Sequence, residues 1–142
     1  MEEKIDYTQI TELNLSNKNL NELPDLSKYN NLKILCINDN NITSLNNLPE
    51  GLKILACSHN NIILLNNLPE GLKELYCSNN QIISLNNLPQ SLKNLDCENN
   101  KITSLNNLPK GLEKLECINN PLIYNFEPTI QNIRKYNKSR GK

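Results

Sequence analysis

The chain has 142 residues, with 15 basic and 15 acidic side chains, so its formal net charge is zero. A neutral chain with few aromatic residues offers neither the basic surface nor the stacking platforms that nucleic-acid binding needs. No apolar run approaches the length of a membrane span. The composition therefore predicts a single domain with no nucleic-acid partner and no membrane partner.

Residues 1–9, MEEKIDYTQ, precede a run of similar units that starts at Ile10. They lack the basic and apolar regions of a signal peptide, which favours a cytoplasmic location. The end units of a stacked array expose apolar interior unless they are capped. We therefore expect residues 1–9 to form an N-terminal cap in which Ile5 and Tyr7 cover the first unit.

From Ile10 onward a pattern of about twenty residues repeats, and four successive copies are nearly identical. These copies are residues 32–51, 52–71, 72–91 and 92–111. They share L-x-x-L-x-[C/I]-x-x-N-x-I-x-x-L-x-x-L-P, while a longer unit, 10–31, precedes them and a further strand begins at Leu112. A fixed period of this length indicates a solenoid, in which each unit buries its apolar side against its neighbours. Residues 10–122 are predicted to form this solenoid.

Each unit is predicted to be a short strand followed by a return segment. In the third near-identical copy, Leu75 and Cys77 alternate with Tyr76, as the inward and outward residues of a strand do. Three later apolar residues are spaced three apart from Ile82 onward, and Pro89 closes the unit. This spacing fits an irregular or 3₁₀ return rather than an α-helix.

One asparagine recurs just after each strand except the first. It stands at Asn40, Asn60, Asn80, Asn100 and Asn120. An amide there can bond to backbone groups where the strand turns away, so the stacked units are predicted to form an asparagine ladder. Lys18 takes this position in the first unit. Asn46, Asn47 and their copies are interpreted as solvated turn residues.

The pattern resembles the leucine-rich repeat, L-x-x-L-x-L-x-x-N-x-L, with Cys or Ile in the third apolar position. The short unit with its L-P ending is similar to the bacterial type found in secreted effectors, and the likeness covers roughly residues 10–122. The resemblance implies an α/β solenoid, a right-handed superhelix with a concave parallel β-sheet and an irregular or 3₁₀ convex side. It also implies a protein-binding role, without indicating the partner.

Four of the five cysteines follow the repeat, and the fifth does not. The four are Cys57, Cys77, Cys97 and Cys117. They take the apolar position that Leu15 and Ile37 fill in the first two units, so they are predicted to be buried core residues with free thiols. No C-x-x-C pair occurs and the only histidine is His59, so no metal and no cofactor is expected. Cys36 stands one position out of register, which reverses its face and predicts an outward, reactive thiol.

The outward strand residues are predicted to form columns along the concave face. The candidate protein-binding residues are Ile34, Cys36, Ile54, Ala56, Tyr76, Asp96, Glu98 and Glu116. The first five form an apolar patch, which indicates a contact site on a solvent-facing sheet. The three carboxylates form an acidic patch, which favours a partner segment with Lys or Arg beside an apolar anchor. Alternatively, these residues reflect neutral drift on a surface where only the core pattern is constrained.

Residues 123–142 leave the repeat and are predicted to form a C-terminal cap and tail. Pro128 suits the first turn of a helix, and the apolar residues after it share one helical face. They are Ile130, Ile133 and Tyr136. We expect a capping helix from about Pro128 to Asn137, packed on Phe126. The basic end, Arg134 to Lys142, is interpreted as a frayed tail.

The predicted function is a non-enzymatic module that presents its concave sheet to a protein or peptide, as a monomer or with weak self-association. An enzyme is not expected, because the sequence contains no phosphate loop, metal motif or nucleophile elbow. The alternative is a structural component of a larger assembly, such as a virion part, with Ile63 and Leu64 as an apolar spot on the convex side. The bias toward Asn, Ile and Lys is typical of A+T-rich amoebal giant viruses and some intracellular bacteria. For a viral protein the location would be the host cytoplasm.

Overall fold

The computed structural model describes residues 5–141 of the chain. Its elements are a 3₁₀ turn Tyr7–Gln9, strands β1 Glu12–Asn14, β2 Ile34–Cys36, β3 Ile54–Ala56, β4 Glu74–Tyr76, β5 Asn94–Asp96 and β6 Lys114–Glu116, and helix α1 Ile130–Ser139. The strands form one sheet in chain order from β1 to β6. Residues 1–4 of the predicted N-terminal cap and Lys142 of the predicted tail lie outside the described residues.

All strand pairs are parallel and equivalent residues stand side by side. Leu35 pairs with Leu55, Leu55 with Leu75, and Leu75 with Leu95. The sheet on one side and the return segments on the other confirm the predicted α/β solenoid. Within residues 5–141 the only 3₁₀ turn is Tyr7–Gln9. Of the two predicted forms, irregular or 3₁₀, the return segments therefore take the irregular one.

The core is a stack of equivalent apolar side chains from successive units. In the third near-identical unit, Leu72, Leu75, Cys77 and Ile82 are 0% exposed and Leu85 is 3% exposed. Equivalent residues of the other units belong to the same buried cluster. Each unit therefore gains its hydrophobic stabilisation by covering the unit beside it.

The asparagine ladder joins the backbones of successive units. The Asn60 side chain is buried, and its Nδ2 donates to the Ile37 carbonyl of the preceding unit at 2.9 Å and to the Cys57 carbonyl of its own unit at 3.1 Å. Its Oδ1 accepts the Ile42 N–H at 3.0 Å. The predicted ladder is confirmed, and it runs through buried backbone groups rather than from amide to amide.

The same bonds recur at Asn80 and Asn100. Asn40 adapts them to the first unit, which has Lys18 in place of a ladder asparagine. Its Oδ1 accepts the N–H groups of Lys18 and Leu20 at 3.1 and 3.0 Å. The bond to Leu20 is the regular ladder bond, equivalent to that between Ile42 and Asn60, whereas the bond to Lys18 is particular to the first unit.

The residue before each ladder asparagine has a left-handed backbone. The φ angles are 55° at Asp39, 55° at His59, 54° at Asn79, 52° at Asn99 and 56° at Asn119. Asn, Asp and His are the non-glycine residues most often found in this conformation. Backbone geometry thus accounts for the single histidine of the chain, because His59 occupies a position that favours this small group of residue types.

Helix α1 starts two residues later and ends two residues later than the predicted span 128–137. The shift arises because Thr129 is the N-cap, and its side-chain oxygen accepts the Asn132 N–H at 3.2 Å. Ile133 is fully buried in the solenoid core. Phe126 packs against the helix as predicted, with its ring centroid 5.4 Å from that of Tyr136.

The interpretation of Arg134 as the start of a frayed tail is wrong, because the residue lies within α1. Its Nη2 donates to the carbonyls of Lys110 at 2.7 Å and Leu112 at 3.1 Å, and lies 3.4 Å from that of Pro109. The guanidinium thus joins the helix to the turn before β6. Sequence reasoning missed this role because the carbonyl cluster exists only after folding.

Arg134→Ala is expected to lower the free energy of unfolding by about 1–2 kcal/mol, because charged hydrogen bonds to the last turn are lost. Urea denaturation followed by circular dichroism measures the change. The matched control is Lys135→Ala, whose exposed side chain has no hydrogen bond to the described residues. Equal effects of the two substitutions would show that Arg134 does not anchor the helix.

Candidate functional site

The strand register brings the predicted apolar patch together on the outward face of the sheet. Ile34 pairs with Ile54, and Cys36 pairs with Ala56, which in turn pairs with Tyr76. All five side chains are half-buried. Because neighbouring strands lie about 4.8 Å apart, these residues are in lateral contact range and form one continuous apolar surface.

Tyr76 is not a purely apolar member of this patch. Its hydroxyl donates to Oε2 of Glu74, which stands two residues earlier on the same face of β4. This hydrogen bond, together with partial burial and the negative charges of Glu74 and Asp96, raises the pKa of the Tyr76 hydroxyl. Sequence reasoning left Glu74 out of the site, although its two-residue spacing from Tyr76 indicates a shared face.

The predicted acidic residues continue the same face toward β6. Asp96 pairs directly with Glu116, and an Asp96 carboxylate oxygen accepts the N–H of Glu98 at 3.2 Å. Lys114 stands beside this group, two residues before Glu116 on β6. Within residues 5–141 no group of His, Cys, Asp and Glu is placed to hold a metal ion.

A second apolar surface lies on the return side of the solenoid. Ile63 is 48% exposed, Leu64 is 44% exposed and Ile83 is 49% exposed. The Ile83 N–H donates to the Ile63 carbonyl at 3.3 Å, so the two residues are neighbours. The sequence analysis named Ile63 and Leu64 for this surface and missed Ile83. Ile83 could have been found because it replaces, at the equivalent repeat position, the polar residue Thr43.

All five thiols are free, and four are buried while one is half-exposed, as predicted. Cys57, Cys77, Cys97 and Cys117 are buried, whereas Cys36 is half-exposed on the outward face. Burial raises the pKa of Cys57 to about 12 and that of Cys117 to about 11. Burial also raises the pKa of Cys77 and Cys97 well above the ordinary value. The stacked thiols therefore stay protonated and act as small apolar core groups.

We expect a thiol reagent such as Ellman's reagent to label about one cysteine in the native protein and all five after unfolding in guanidinium. Cys36 is accessible, while the other four are protonated and buried. Of these four, Cys117 is the most exposed, at 5%, because it lies at the end of the stack. Mass spectrometry of the labelled peptides identifies the reacting residue. The control is Cys36→Ser, which should abolish native labelling, and labelling of Cys77 in the native state would contradict the stacked arrangement.

No helix within residues 5–141 has the length and apolar character needed to cross a membrane.

No protein-family model matches the chain, and no curated protein sequence matches it either. Solved structures do match.

The chain is similar to the LRR domain of a Shigella effector, with 32% identity and a TM-score of 0.77 over 87% of this chain and 55% of that one. It is also similar to YopM from Yersinia enterocolitica WA-314, with 35% identity and a TM-score of 0.73 over 84% of this chain and 27% of that one. The chain thus spans about half the length of the first structure and about a quarter of the second.

The functional domain of InlJ from Listeria monocytogenes, described as including a cysteine ladder, is 23% identical, with a TM-score of 0.51. The match covers 90% of this chain and 38% of that one. At this identity the likeness shows the fold alone.

Proposed function

We propose that this chain, which is a leucine-rich repeat protein with the short repeats of bacterial effector domains, is a non-enzymatic protein-interaction module. We further propose that the partner binds the outward, concave face of the sheet. The similarity to effector domains supports an interaction role in general terms. The choice of face comes from the side chains that this chain places there.

The observation that carries the proposal is the lateral alignment of the apolar patch, Ile34, Cys36, Ile54, Ala56 and Tyr76. A patch held by backbone register is ordered before the partner arrives, so binding loses little conformational entropy there. Asp96, Glu98 and Glu116 continue the patch with negative charge. The favoured partner is therefore a protein or peptide that presents an apolar anchor with Lys or Arg beside it.

The test compares substitutions on the two faces of the solenoid. Immobilised protein is used to capture partners from an extract of the native source, and recovery is measured by quantitative mass spectrometry. The double variant Ile54→Ala, Tyr76→Ala should recover at least about tenfold less of the bound partner, because central apolar anchors dominate interface energetics. The matched control is Ile83→Ala, which truncates an equally apolar residue on the return side.

Unchanged recovery by the double variant would remove the concave face as the binding surface. Loss of recovery in Ile83→Ala alone would move the interface to the return side. Circular dichroism of each variant establishes that the fold is retained, so that lost binding is not lost structure.

The exposed trio Ile63, Leu64 and Ile83 favours a second candidate function, a structural component of a larger assembly. Contiguous apolar residues on a solvent-facing surface are typical of contact sites. Sedimentation velocity at rising concentration would show self-association, and Leu64→Ser should abolish it. A monomer at all concentrations would contradict this second function.

We place the protein in the cytoplasm, which for a viral protein would be the host cytoplasm. Five free thiols in one short chain support a reducing compartment. We also retain the proposed division into a cap at residues 1–9, a solenoid at 10–122 and a C-terminal cap at 123–142. The burial of Ile133 in the solenoid core supports the capping role of the last segment.

A further inference from the structure

Strand β6 ends the sheet, and its outer edge carries backbone N–H groups that the described part of the chain does not pair. Just after β4 and β5, the Cys77 N–H donates to the Asp96 carbonyl and the Cys97 N–H donates to the Glu116 carbonyl, both at 2.8 Å. The equivalent N–H of Cys117 has no acceptor within residues 5–141.

Two further N–H groups share this edge. The Asn99 N–H donates to the Ile118 carbonyl at 3.0 Å, whereas the equivalent N–H of Asn119 has no acceptor within the described range. The Glu116 carbonyl faces β5, and the backbone groups of successive strand residues point to opposite sides. The N–H and carbonyl of Leu115 therefore face outward. Residues 115 and 117 present donors about 6.7 Å apart, the spacing that an added strand requires. Asn119, where the backbone turns with a φ of 56°, presents a third donor beyond the strand.

The segment 127–131 lies beside the edge of β6, where the Pro128 carbonyl accepts a weak hydrogen bond from Cys117 Sγ at 3.7 Å, and it encloses a groove of about 560 Å³ with the strand. Leu115, Ile118 and Ile130 supply apolar lining, and Ile118 is 59% exposed. No backbone hydrogen bond joins segment 127–131 to β6 in the described structure. The groove thus combines an unpaired strand edge with an apolar surface.

The charged groups of the groove are mostly acidic. Glu116 and Glu127 line it with free carboxylates, while the Glu113 carboxylate binds Lys93 Nζ at 2.8 Å. Lys114 is the one cation in its lining. The net charge of the lining favours an occupant that carries Lys or Arg.

Helix α1 limits what can occupy this end of the solenoid. Ile133 is fully buried in the core, where the interior of a seventh unit would otherwise pack. Arg134 ties the helix to the Lys110 and Leu112 carbonyls. A second copy of the chain could stack here only by displacing the helix, whereas a single extended strand needs only the open edge.

We propose that the outer edge of β6 binds an extended peptide of a partner protein as a seventh strand. The peptide carries Lys or Arg opposite Glu116 and Glu127 and an apolar residue against Ile118. Main-chain hydrogen bonds to Leu115, Cys117 and Asn119 supply the affinity, and the side chains supply the selectivity. The two proposed sites share Glu116 but differ in their other contacts, since the edge uses the backbone of β6 and the concave patch uses Ile54 and Tyr76. Substitutions at Tyr76 and Leu115 therefore let either proposal fail without the other.

The test uses a phage-displayed library of random peptides of about ten residues, which is long enough to cover the strand and its flanks. Selected peptides are titrated against the whole chain. We expect enrichment of Lys or Arg alternating with apolar residues. Amide hydrogen exchange measured by NMR should slow at Leu115, Cys117 and Asn119 on binding.

Two kinds of variant sharpen the test. Leu115→Pro removes an edge N–H without touching the β5–β6 bonds, since proline is tolerated on an open edge, and should weaken binding on the order of tenfold. The substitution also shortens a side chain that packs against the core, so circular dichroism must show that the fold is retained. Glu116→Lys with Glu127→Lys should reverse the charge preference while keeping the strand intact. Tyr76→Ala on the concave patch is the matched control and should bind the peptides within about twofold of the parent.

Failure to select any peptide, or binding that leaves the three amide protons exchanging as before, would overturn the proposal. Slow exchange at these amides in concentrated protein without peptide would overturn it in favour of a second copy. Weakening by Tyr76→Ala instead of Leu115→Pro would assign the peptides to the concave patch.

Discussion

Leu75→Ala is expected to lower the free energy of unfolding by about 3–4 kcal/mol, because it removes a fully buried side chain from the middle of the stack. Leu75 is 0% exposed and pairs with Leu55 on one side and Leu95 on the other. Both neighbours are held by their own strands, so the cavity cannot collapse easily. Urea denaturation followed by circular dichroism measures the loss.

Leu13→Ala is the matched control, since the same substitution is made at the equivalent position of the first strand. Leu13 is only half-buried and pairs with one strand neighbour, Leu35. The expected loss is about 1 kcal/mol, because little surface is removed from contact. Similar losses at Leu13 and Leu75 would show that burial in the stack does not determine stability.

Asn80→Ala is expected to lower the free energy of unfolding by about 2–4 kcal/mol, because it leaves buried backbone groups without partners. Asn80 is 4% exposed. Its Oδ1 accepts the Ile62 N–H at 2.9 Å, and its Nδ2 donates to the carbonyls of Cys57 at 3.0 Å and Cys77 at 3.1 Å. Amide exchange at Ile62 should accelerate in step with the loss of stability measured by urea denaturation.

Asn61→Ala provides the control for Asn80→Ala. Asn61 is exposed, and its side chain makes no hydrogen bond to the described residues. The expected change is within about 0.5 kcal/mol. If Asn80→Ala were as mild as this control, the ladder would be a consequence of the stack rather than a cause of its stability.

Repetition made much of the fold predictable. The position of Cys77 has similar surroundings in every unit. An apolar residue at this position in each unit is therefore repeated evidence that the position is buried. Cys36 shows the strength of this signal, because one residue of offset was enough to predict its outward face. The strand pairs that build the apolar patch follow from the same period.

The candidate site was predictable in position but not in its contacts. The period places Tyr76 and Glu74 on one face, yet their hydrogen bond depends on side-chain conformation. The exposure of Ile83 could be predicted only by comparing non-core positions, where the copies of the repeat differ from one another. The proposal that a partner uses the concave patch rests on the surface chemistry of that patch.

The solenoid, its register, its buried cysteines and its asparagine ladder could all be predicted from the amino-acid sequence, because each unit packs against a near-copy of itself and the pattern is repeated along the chain. The detailed contacts at the end of the array became visible only in the folded structure. The sequence predicted a capping helix, but the bounds of α1, the binding of Arg134 to carbonyls and the unpaired amides of β6 depend on contacts between non-equivalent segments. Such contacts have no period, so nothing in the repeat indicates them.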